Sequence, residues 1–443
     1  MGNLERYRNI VNGERVESAS GRWLASADPF TGRDWSEVPQ CDAADVDRAV
    51  EAAHTAFSGP WSQMTATARG KILRRFADLI AENADRLAAL ETRDNGKLLA
   101  EMRGQVGYLP EYYNYFGGLA DKIEGAVLPS DKPQFFTYTK YEPLGVVVCI
   151  TPWNSPLLLL TWKLAAALAA GNTVVIKPSE FTSASTLEFV ALCRQAGFPD
   201  GVVNTVTGFG HEIGSALVEH PKVAKVAFTG GDATGAAVYA GAARGLKHVS
   251  LELGGKSPNI IFDDANLEDA VKGAISGIFA ASGQTCIAGS RLLVQRSVYD
   301  EVSRGVVEFA KTAKLGNPME SCTQVGPITT QPQRKKVLEY INIAKAEGAE
   351  CLLGGGFPQA PELADGWFVE PTIFGNVTND MRIAREEVFG PILSIIPFED
   401  EEDAICIAND TIYGLAAGVW TQSIRRAVTM ADRLKAGRHQ SVQ

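Results

Sequence analysis

Two polar side chains in this sequence, a thiol and a carboxylate, have the types needed for covalent acyl chemistry. Cys286 lies in the run Gly283–Arg291, where small neighbours leave its sulfur open to close approach. Glu252 ends a β-like segment directly before Leu253 and the pair Gly254-Gly255. A cysteine can serve as a nucleophile and a carboxylate as a general base. Neither run alone establishes a catalytic site, because an isolated cysteine is often a buried structural thiol.

The elements that position these groups belong to a chain of 443 residues, which is long enough for two or three domains. Apolar residues make up 45% and charged residues 21%, as in globular proteins. A net charge of −10 without a basic run argues against nucleic acid and anionic membranes as partners. Seven scattered cysteines without a C-x-x-C pair predict reduced thiols, a cytoplasmic location and no metal site.

The middle of the chain alternates short apolar runs with helical patterns. The runs predict buried strands at Leu144–Ile150, Thr173–Ile176, Val202–Val206 and Lys225–Phe228. This alternation predicts a parallel sheet with crossover helices, and a second α/β unit begins at Asn259–Phe262. No apolar stretch is long enough to span a bilayer, and the N-terminus has no signal core.

The N-terminal part combines short strands with longer helices. Asn12-Gly13 is a hairpin signal, and Gln134–Tyr141 has the composition of an exposed strand. Apolar residues three and four apart predict helices over Ala43–Phe57, Thr65–Asn95 and Lys97–Tyr115.

Five motifs in order carry a family resemblance. They are Thr151-Pro152-Trp153-Asn154, Ile176–Glu180, Leu251–Pro258, Gly283–Arg291 and Glu386–Pro391. From about residue 8 to about residue 437 the chain resembles the aldehyde dehydrogenase superfamily of the NAD(P)-dependent, hydrolytic type. The resemblance implies a Rossmann-like NAD-binding domain (residues 1–124 and 145–254), an oligomerisation strand (125–144), and an α/β catalytic domain (255–437). The resemblance further implies a small-molecule aldehyde substrate and a homodimer or homotetramer, if the C-terminal end permits one.

The resemblance also implies a dinucleotide site, with NAD preferred over NADP. Its predicted residues are Ile150, Thr151, Pro152, Trp153, Lys177, Ser179, Glu180, Gly210, Thr229, Gly230, Gly231, Leu253, Glu387 and Phe389. Glu180 would face the ribose 2′-hydroxyl and repel a 2′-phosphate. Gly231 stands where a serine is usual and Ala233 where a glutamate is usual, which puts the hydroxyl contact in doubt.

For catalysis, the resemblance makes Cys286 the nucleophile and Glu252 the base that hydrolyses a thioester. Asn154 would hold the oxyanion, and Lys163 would support proton transfer. The predicted substrate pocket is formed by Ser155, Leu159, Trp162, Thr285 and Ile287. Ser155 stands where many relatives have phenylalanine, which suggests space for a larger or branched aldehyde.

Two alternatives stay open at this point. One is a thiol esterase that uses Cys286 and Glu252 without redox chemistry. The other is a weakly active or non-catalytic relative that acts as a binding or structural protein. The family continues beyond Gly437 with a strand and several dozen residues, whereas residues 438–443 diverge. We therefore expect a missing C-terminal segment, an unpaired sheet edge, poor solubility and weak activity.

Overall fold

Apolar runs of four to seven residues, separated by amphipathic stretches, form parallel strands joined by helices, as the sequence predicts. A computed structural model describes residues 4–442. Contacts divide the chain into two units. The first contains the described residues up to Ala27, Asp34–Asp94 and Met102–Glu252. The second contains Asp28–Arg33, Asn95–Glu101 and the described residues from Leu253 onward. Both units are α/β, which confirms the predicted fold class.

The first unit begins with five short strands. They are β1 (Glu5–Arg6), β2 (Asn9–Val11), β3 (Glu14–Val16), β4 (Trp23–Asp28) and β5 (Arg33–Pro39). β2 and β3 form the predicted hairpin, in which Asn12 and Gly13 both adopt positive φ. Two consecutive residues with positive φ are what a type I′ two-residue hairpin turn requires.

Five helices follow. They are α1 (Ala43–Ser58), α2 (Pro60–Gln63), α3 (Ala66–Glu82), α4 (Ala84–Asn95) and α5 (Leu99–Leu119). Asp42 caps α1 in a capping box with Asp45. The continuous helix predicted over Thr65–Asn95 is wrong, because Asn83 ends α3 and its side-chain amide donates to Leu79 O at 2.8 Å. This local bond competes with helix continuation.

The predicted exposed strand at Gln134–Tyr141 is mostly not a strand. Only β6 (Val127–Leu128) and β7 (Thr137–Tyr138) pair, as a two-residue antiparallel ladder. Both lie in an exposed arm, defined here as residues 125–144. High β propensity did not extend the strand, because an isolated ladder has no core face to bury.

The main sheet of the first unit is parallel. Its elements in chain order are β8 (Val146–Ile150), α6 (Pro156–Ala169), β9 (Thr173–Lys177), α7 (Ala184–Ala196), β10 (Val203–Thr205), α8 (Gly210–Glu219), β11 (Val223–Thr229), α9 (Asp232–Ala243) and β12 (His248–Glu252). The strand order is β10-β9-β8-β11-β12. β9 is buried throughout, which explains its continuous apolar sequence.

The second unit contains a seven-stranded sheet. Its elements are β13 (Pro258–Ile261), α10 (Leu267–Phe279), β14 (Arg291–Gln295), α11 (Tyr299–Ala310), α12 (Gln331–Ala346), β15 (Glu350–Leu353), β16 (Thr372–Gly375), α13 (Arg382–Arg385), β17 (Ile392–Phe398), α14 (Glu401–Asn409), β18 (Ala416–Trp420), α15 (Ile424–Arg433) and β19 (Arg438–Val442). The order is β15-β16-β17-β14-β13-β18-β19, with β15 alone antiparallel.

The unpaired sheet edge expected from a missing segment after Gly437 is not found at β18, because β19 pairs with β18 in parallel over five residues. The apolar side chains near β18 and α15 differ in burial. Met430 and Leu434 are buried, whereas Ile412 and Ile424 are 90% and 69% exposed. Among the described residues, no helix is long and apolar enough to cross a membrane.

Candidate active site

The carboxyl ends of the parallel strands in the first unit bring together many of the residues predicted to bind the dinucleotide. Ile150 of β8 is in register with Lys177 of β9 and with Phe228 of β11. Thr229 is in register with Glu252 at the end of β12. The chain leaves β8 towards β9 on one side and later returns to β11 on the other, so the sheet has a switch point between β8 and β11. Ligands of open parallel sheets bind at such points.

The segment after β8 carries the predicted residues Thr151, Pro152, Trp153 and Asn154 into helix α6. Thr151 N–H donates to Lys177 O at 3.1 Å, which continues the ladder beyond the strand. Asn154 is only 5% exposed. Ser155 occupies the N-cap position of α6, directly before a proline at the first helical position. The buried turn therefore fixes the Asn154 backbone at the carboxyl edge of the sheet.

Lys177 and Glu180 form an ion pair at the end of β9. Lys177 Nζ lies 3.4 Å from Glu180 Oε2 and donates to Pro178 O at 3.0 Å. Burial lowers the pKa of the Lys177 ammonium, with the Glu180 carboxylate acting in the opposite direction. Ser179 is buried, whereas the Glu180 side chain keeps 22% of its surface exposed. The pair therefore has a buried cation and a carboxylate still open to a ligand.

Three glycines at this edge allow the fit of a dinucleotide to be tested. Gly210 and Gly231 stand at the beginnings of α8 and α9, and neither has the positive φ that favours glycine. A Cβ at either position would meet no atom within 4 Å. Neither packing nor backbone conformation requires glycine there, so the space is available for a ligand's phosphates at a helix N-terminus. At Gly230, by contrast, a Cβ would collide with the Phe228 ring.

Lys163, Thr229 and Glu252 lie close together. Lys163 Nζ donates to Thr229 Oγ1, and also to Leu159 O at 3.4 Å. Gly230 N–H donates to Glu252 O at 3.1 Å. Glu252 is exposed at the last position of β12. The ammonium and the carboxylate are thus carried by neighbouring elements at one edge of the sheet.

In the second unit, the loop of Cys286 is enclosed by glycine backbones. Cys286 is partly exposed, whereas Gln284 is fully buried. A Cβ at Gly255 would collide with Cys286 O, and a Cβ at Gly283 would collide with Gly390 O. These close approaches explain why both positions hold glycine. They also fix the cysteine backbone between the 254–255 turn and the 386–391 segment.

The Glu387 side chain contacts the turn at Gly254-Gly255. Glu387 Oε1 accepts the Gly255 N–H at 2.9 Å, and a Cβ at Gly254 would lie 2.5 Å from Glu387 Oε2. Phe389 has a φ of 61°, which is uncommon for a residue with a side chain. The predicted positions Leu253, Glu387 and Phe389 therefore lie in one unit with Cys286.

Two residues of α12 that sequence reasoning missed hold this strained segment. Gln333 Nε2 donates to Val388 O at 2.8 Å and to Phe389 O at 3.0 Å. Lys336 Nζ donates to Glu387 O at 2.8 Å. Their spacing of three residues was the available signal, because on a helix it places both side chains on one face.

Lys256 is a third residue that sequence reasoning missed. Its side chain is buried, and burial lowers the pKa of its ammonium to about 7, with the Arg291 charge acting in the same direction. Arg291 is itself fully buried and donates to Lys256 O at 3.0 Å and Ala408 O at 2.8 Å. The position of Lys256 directly after Gly254-Gly255 was the available signal in the sequence. The sequence does not show that its charged group is buried.

The predicted substrate-pocket residues fall into two groups. Ser155, Leu159 and Trp162 follow at intervals of four and three, which places them on one face at the start of α6. Trp162 is 43% exposed. Thr285 and Ile287 border a cavity of about 450 Å³ that is also lined by α10, β18, Arg438 and Gln440. This volume is in the range of small-molecule pockets.

Outside these sites, Asp47, Glu51 and His220 have ligand atoms within 4.8 Å of one another. Lys222 already occupies this cluster, since its Nζ pairs with Glu51 and its N–H donates to His220 Nδ1 at 3.2 Å. The His220 tautomer that accepts this bond keeps its proton on Nε2, which is 3.2 Å from Asp47. The three side chains of this cluster are therefore already paired with one another or with Lys222.

The first unit has a parallel sheet with open space at two helix N-termini, and the second has a cysteine loop enclosed by glycines. A dehydrogenase that forms a covalent intermediate on cysteine needs both features. The aldehyde dehydrogenase family model matches residues 16–441. Aldehyde dehydrogenase 1A1 of Macaca fascicularis is 45% identical over 98% of this chain and 86% of its own length. Betaine aldehyde dehydrogenase of Bacillus subtilis is 42% identical over 97% of this chain and 88% of its own length.

Solved structures of aldehyde dehydrogenases have the same fold as this chain. The structure of betaine aldehyde dehydrogenase from Staphylococcus aureus in complex with NAD+ has a TM-score of 0.97 at 43% identity. The match covers 98% of this chain and 86% of that one. The chain belongs to the aldehyde dehydrogenase family, and it is therefore an oxidoreductase that acts on the aldehyde group.

Proposed function

We propose that Cys286 is the nucleophile of this aldehyde dehydrogenase and that Glu252 is the base that releases the acid. The Cys286 sulfur adds to the aldehyde carbon, and the electrons of the carbonyl π bond move to oxygen. The Asn154 amide and the Cys286 N–H donate to that oxyanion, which stabilises charge where it develops. The enclosure of the Cys286 loop by Gly255 and Gly283 is the observation that supports this role.

Bound NAD would supply the hydride acceptor that conversion of the tetrahedral adduct into a thioester requires. Residues at the carboxyl edge of the first unit would hold it: the 150–153 turn, Lys177, Ser179 and Glu180, and the 229–231 turn, with Gly210 nearby. Glu387, Phe389 and Leu253 would contact its nicotinamide end. The fit rests on the open space at Gly210 and Gly231 and on the partly exposed Glu180 carboxylate.

The thioester is hydrolysed by water from which Glu252 removes a proton. Lys163, whose ammonium donates to Thr229 Oγ1 on the strand paired with that of Glu252, would support this proton transfer. The product is a free carboxylic acid. Ser155, Leu159, Trp162, Thr285 and Ile287 would line the substrate entrance, where the small Ser155 would leave space for a larger or branched aldehyde.

The remaining assignments belong to the same proposal. Residues 1–124 and 145–254 form the NAD-binding domain, residues 255–437 the catalytic domain, and the arm at 125–144 makes subunit contacts in a homodimer or homotetramer. A cytoplasmic location is supported by the cysteines, all seven of which lie in the described part of the chain and are free.

A panel of aldehydes assayed for NADH formation tests the function. We expect NADH with at least one aldehyde, and no NADH from Cys286→Ala, which should still bind NAD because its fold is intact. Cys322→Ala is the matched control, since Cys322 is exposed outside the site, and it should keep wild-type turnover. Turnover near the wild-type rate in pure Cys286→Ala would remove this residue from the mechanism.

A further inference from the structure

The backbone immediately before the catalytic loop is left-handed over three residues. Ala281, Ser282 and Gly283 have φ values of 54°, 53° and 71°. They follow the end of α10 at Phe279, and Gly283 is three positions before Cys286. Residues with a Cβ adopt this conformation at a steric cost, so a run of them persists only where surrounding groups hold it.

One carboxylate holds the beginning of this turn. Glu101 Oε1 accepts the Ala281 N–H at 2.7 Å, while Glu101 Oε2 accepts the Leu98 N–H at 3.2 Å. Glu101 is the third residue of α5, the position from which a glutamate caps the preceding N–H groups of a helix. The same side chain therefore caps α5 and anchors the left-handed turn.

Two buried side chains hold the rest of the turn. Ser282 Oγ donates to Gly326 O at 2.8 Å. Gln284 Nε2 donates to Ala281 O at 3.3 Å, and Gln284 Oε1 accepts the Thr329 N–H at 2.9 Å. These bonds involve neutral groups, whereas the bond from Ala281 N–H ends on a carboxylate and is the stronger kind.

The turn sets the path of the chain to Cys286. Gly283 lies against Gly390 O, and Cys286 O lies against Gly255, so the loop has little room to compensate for a changed entry direction. A turn that relaxed to right-handed backbone would redirect the chain three residues before the thiol. Such a displacement affects the reaction more than binding, because attack requires the sulfur within a narrow range of distance and angle.

We infer that Glu101 is a positioning residue for Cys286, which acts by holding the strained turn at residues 281–283. The inference rests on the proposed role of Cys286. A failure of that role would appear as activity in Cys286→Ala, whereas a failure of the present inference would appear only in the Glu101 variants.

Replacing the carboxylate tests the inference. We expect Glu101→Ala to lower kcat by about tenfold or more, the range that a hydrogen bond to a charged group contributes, with KM for aldehyde and NAD within about twofold. Glu101→Gln keeps an acceptor for the Ala281 N–H and should retain most of kcat. Glu111→Ala removes an exposed carboxylate from the same helix and should have no effect.

Ala281→Gly separates this role from general loss of structure. Glycine adopts the left-handed conformation without a steric cost, so Ala281→Gly should restore most of kcat in the Glu101→Ala background. In the wild-type background it should change kcat little. Unchanged kcat in Glu101→Ala, or a loss that Ala281→Gly does not repair, would overturn the inference. If Glu101→Ala does not fold, we expect the double variant Glu101→Ala/Ala281→Gly to be folded and active. A double variant that is unfolded or inactive would overturn the inference.

Discussion

At the residue scale, Glu252 decides whether the acylated cysteine can release its product. Because the base acts only after hydride transfer, Glu252→Gln should still release one equivalent of NADH in a burst. Steady-state turnover should then fall by roughly 10²–10⁴-fold, the usual contribution of general-base catalysis. Stopped-flow absorbance separates the two phases.

Glu268→Gln is a suitable control, since Glu268 is exposed and pairs only with Lys272 in the described structure. An absent burst together with absent acyl-enzyme would place Glu252 earlier, in activation of the thiol. A steady-state rate equal to that of the wild type would exclude Glu252 from hydrolysis.

A second prediction at this scale concerns cofactor choice. Glu180 presents a carboxylate beside the buried Lys177 ammonium, and a ribose 2′-hydroxyl can donate to it whereas a 2′-phosphate is repelled. We expect kcat/KM to favour NAD over NADP by at least about tenfold, which corresponds to ~1.4 kcal/mol. Glu180→Gln should narrow this ratio through better use of NADP. Equal use of both cofactors by the wild type would show that Glu180 does not face the ribose.

At the element scale, the sequence was informative wherever burial produces a periodic pattern. The strands at 146–150 and 173–177 are buried on both faces and could be predicted from continuous apolar runs. The break at Asn83 and the short ladder in the arm could not, because a side-chain bond and the lack of a core face decide them. The motifs indicated Cys286 and Glu252 as candidate catalytic residues. They could not indicate Glu101 and Gln333, whose hydrogen bonds are made to residues distant in sequence.

Asp94 joins three elements of the first unit and should make its stability depend on pH. Its carboxyl group at the end of α4 accepts from Ser26 Oγ at 2.8 Å in β4 and from Ala184 N–H at 3.0 Å in α7. Burial raises the pKa of Asp94 to about 7, although these hydrogen bonds act in the opposite direction. Between pH ~4 and ~7 the folded protein therefore holds a proton that the unfolded chain has lost.

Stability contributed by this group should fall as pH rises through that window, because the folded state binds more protons there. Asp94→Asn cannot ionise, so its free energy of unfolding relative to the wild type should rise from pH 5 to 7 and then level off. Urea titrations of both proteins at several pH values measure this difference. A difference that does not change with pH would mean that Asp94 is already ionised in the folded protein.

At the scale of the whole molecule, two α/β units divide the predicted chemistry. Asn154, Lys163 and Glu252 belong to the first, and Cys286, Glu387 and Phe389 to the second. Segments 28–33 and 95–101 belong with the second unit although they lie within the first in sequence. Periodicity does not show such an exchange, since the exchange depends on contacts between segments far apart in sequence, such as Glu101 and Ala281, which are 180 residues apart.

The arm at residues 125–144 leads to the last prediction. Val127, Phe135, Phe136, Tyr138 and Tyr141 are each at least 60% exposed. The Phe136 and Tyr138 rings lie 5.8 Å apart and so form one apolar surface. Large exposed apolar patches usually mark protein–protein contacts. If the arm makes subunit contacts, truncating both rings removes roughly 3–6 kcal/mol of burial, at ~1.5–3 kcal/mol each, and weakens association about 10²–10⁴-fold.

We therefore expect Phe136→Ser/Tyr138→Ser to move the protein towards monomer in size-exclusion chromatography with light scattering, increasingly so on dilution. Ile412→Ser removes a side chain that is 90% exposed outside the arm, so it should leave the oligomer unchanged. The double variant should stay folded, because Phe136 and Tyr138 are 75% and 61% exposed, and circular dichroism checks the fold directly. An oligomer that keeps its mass and dilution behaviour in the double variant would show that these rings do not make the subunit contact.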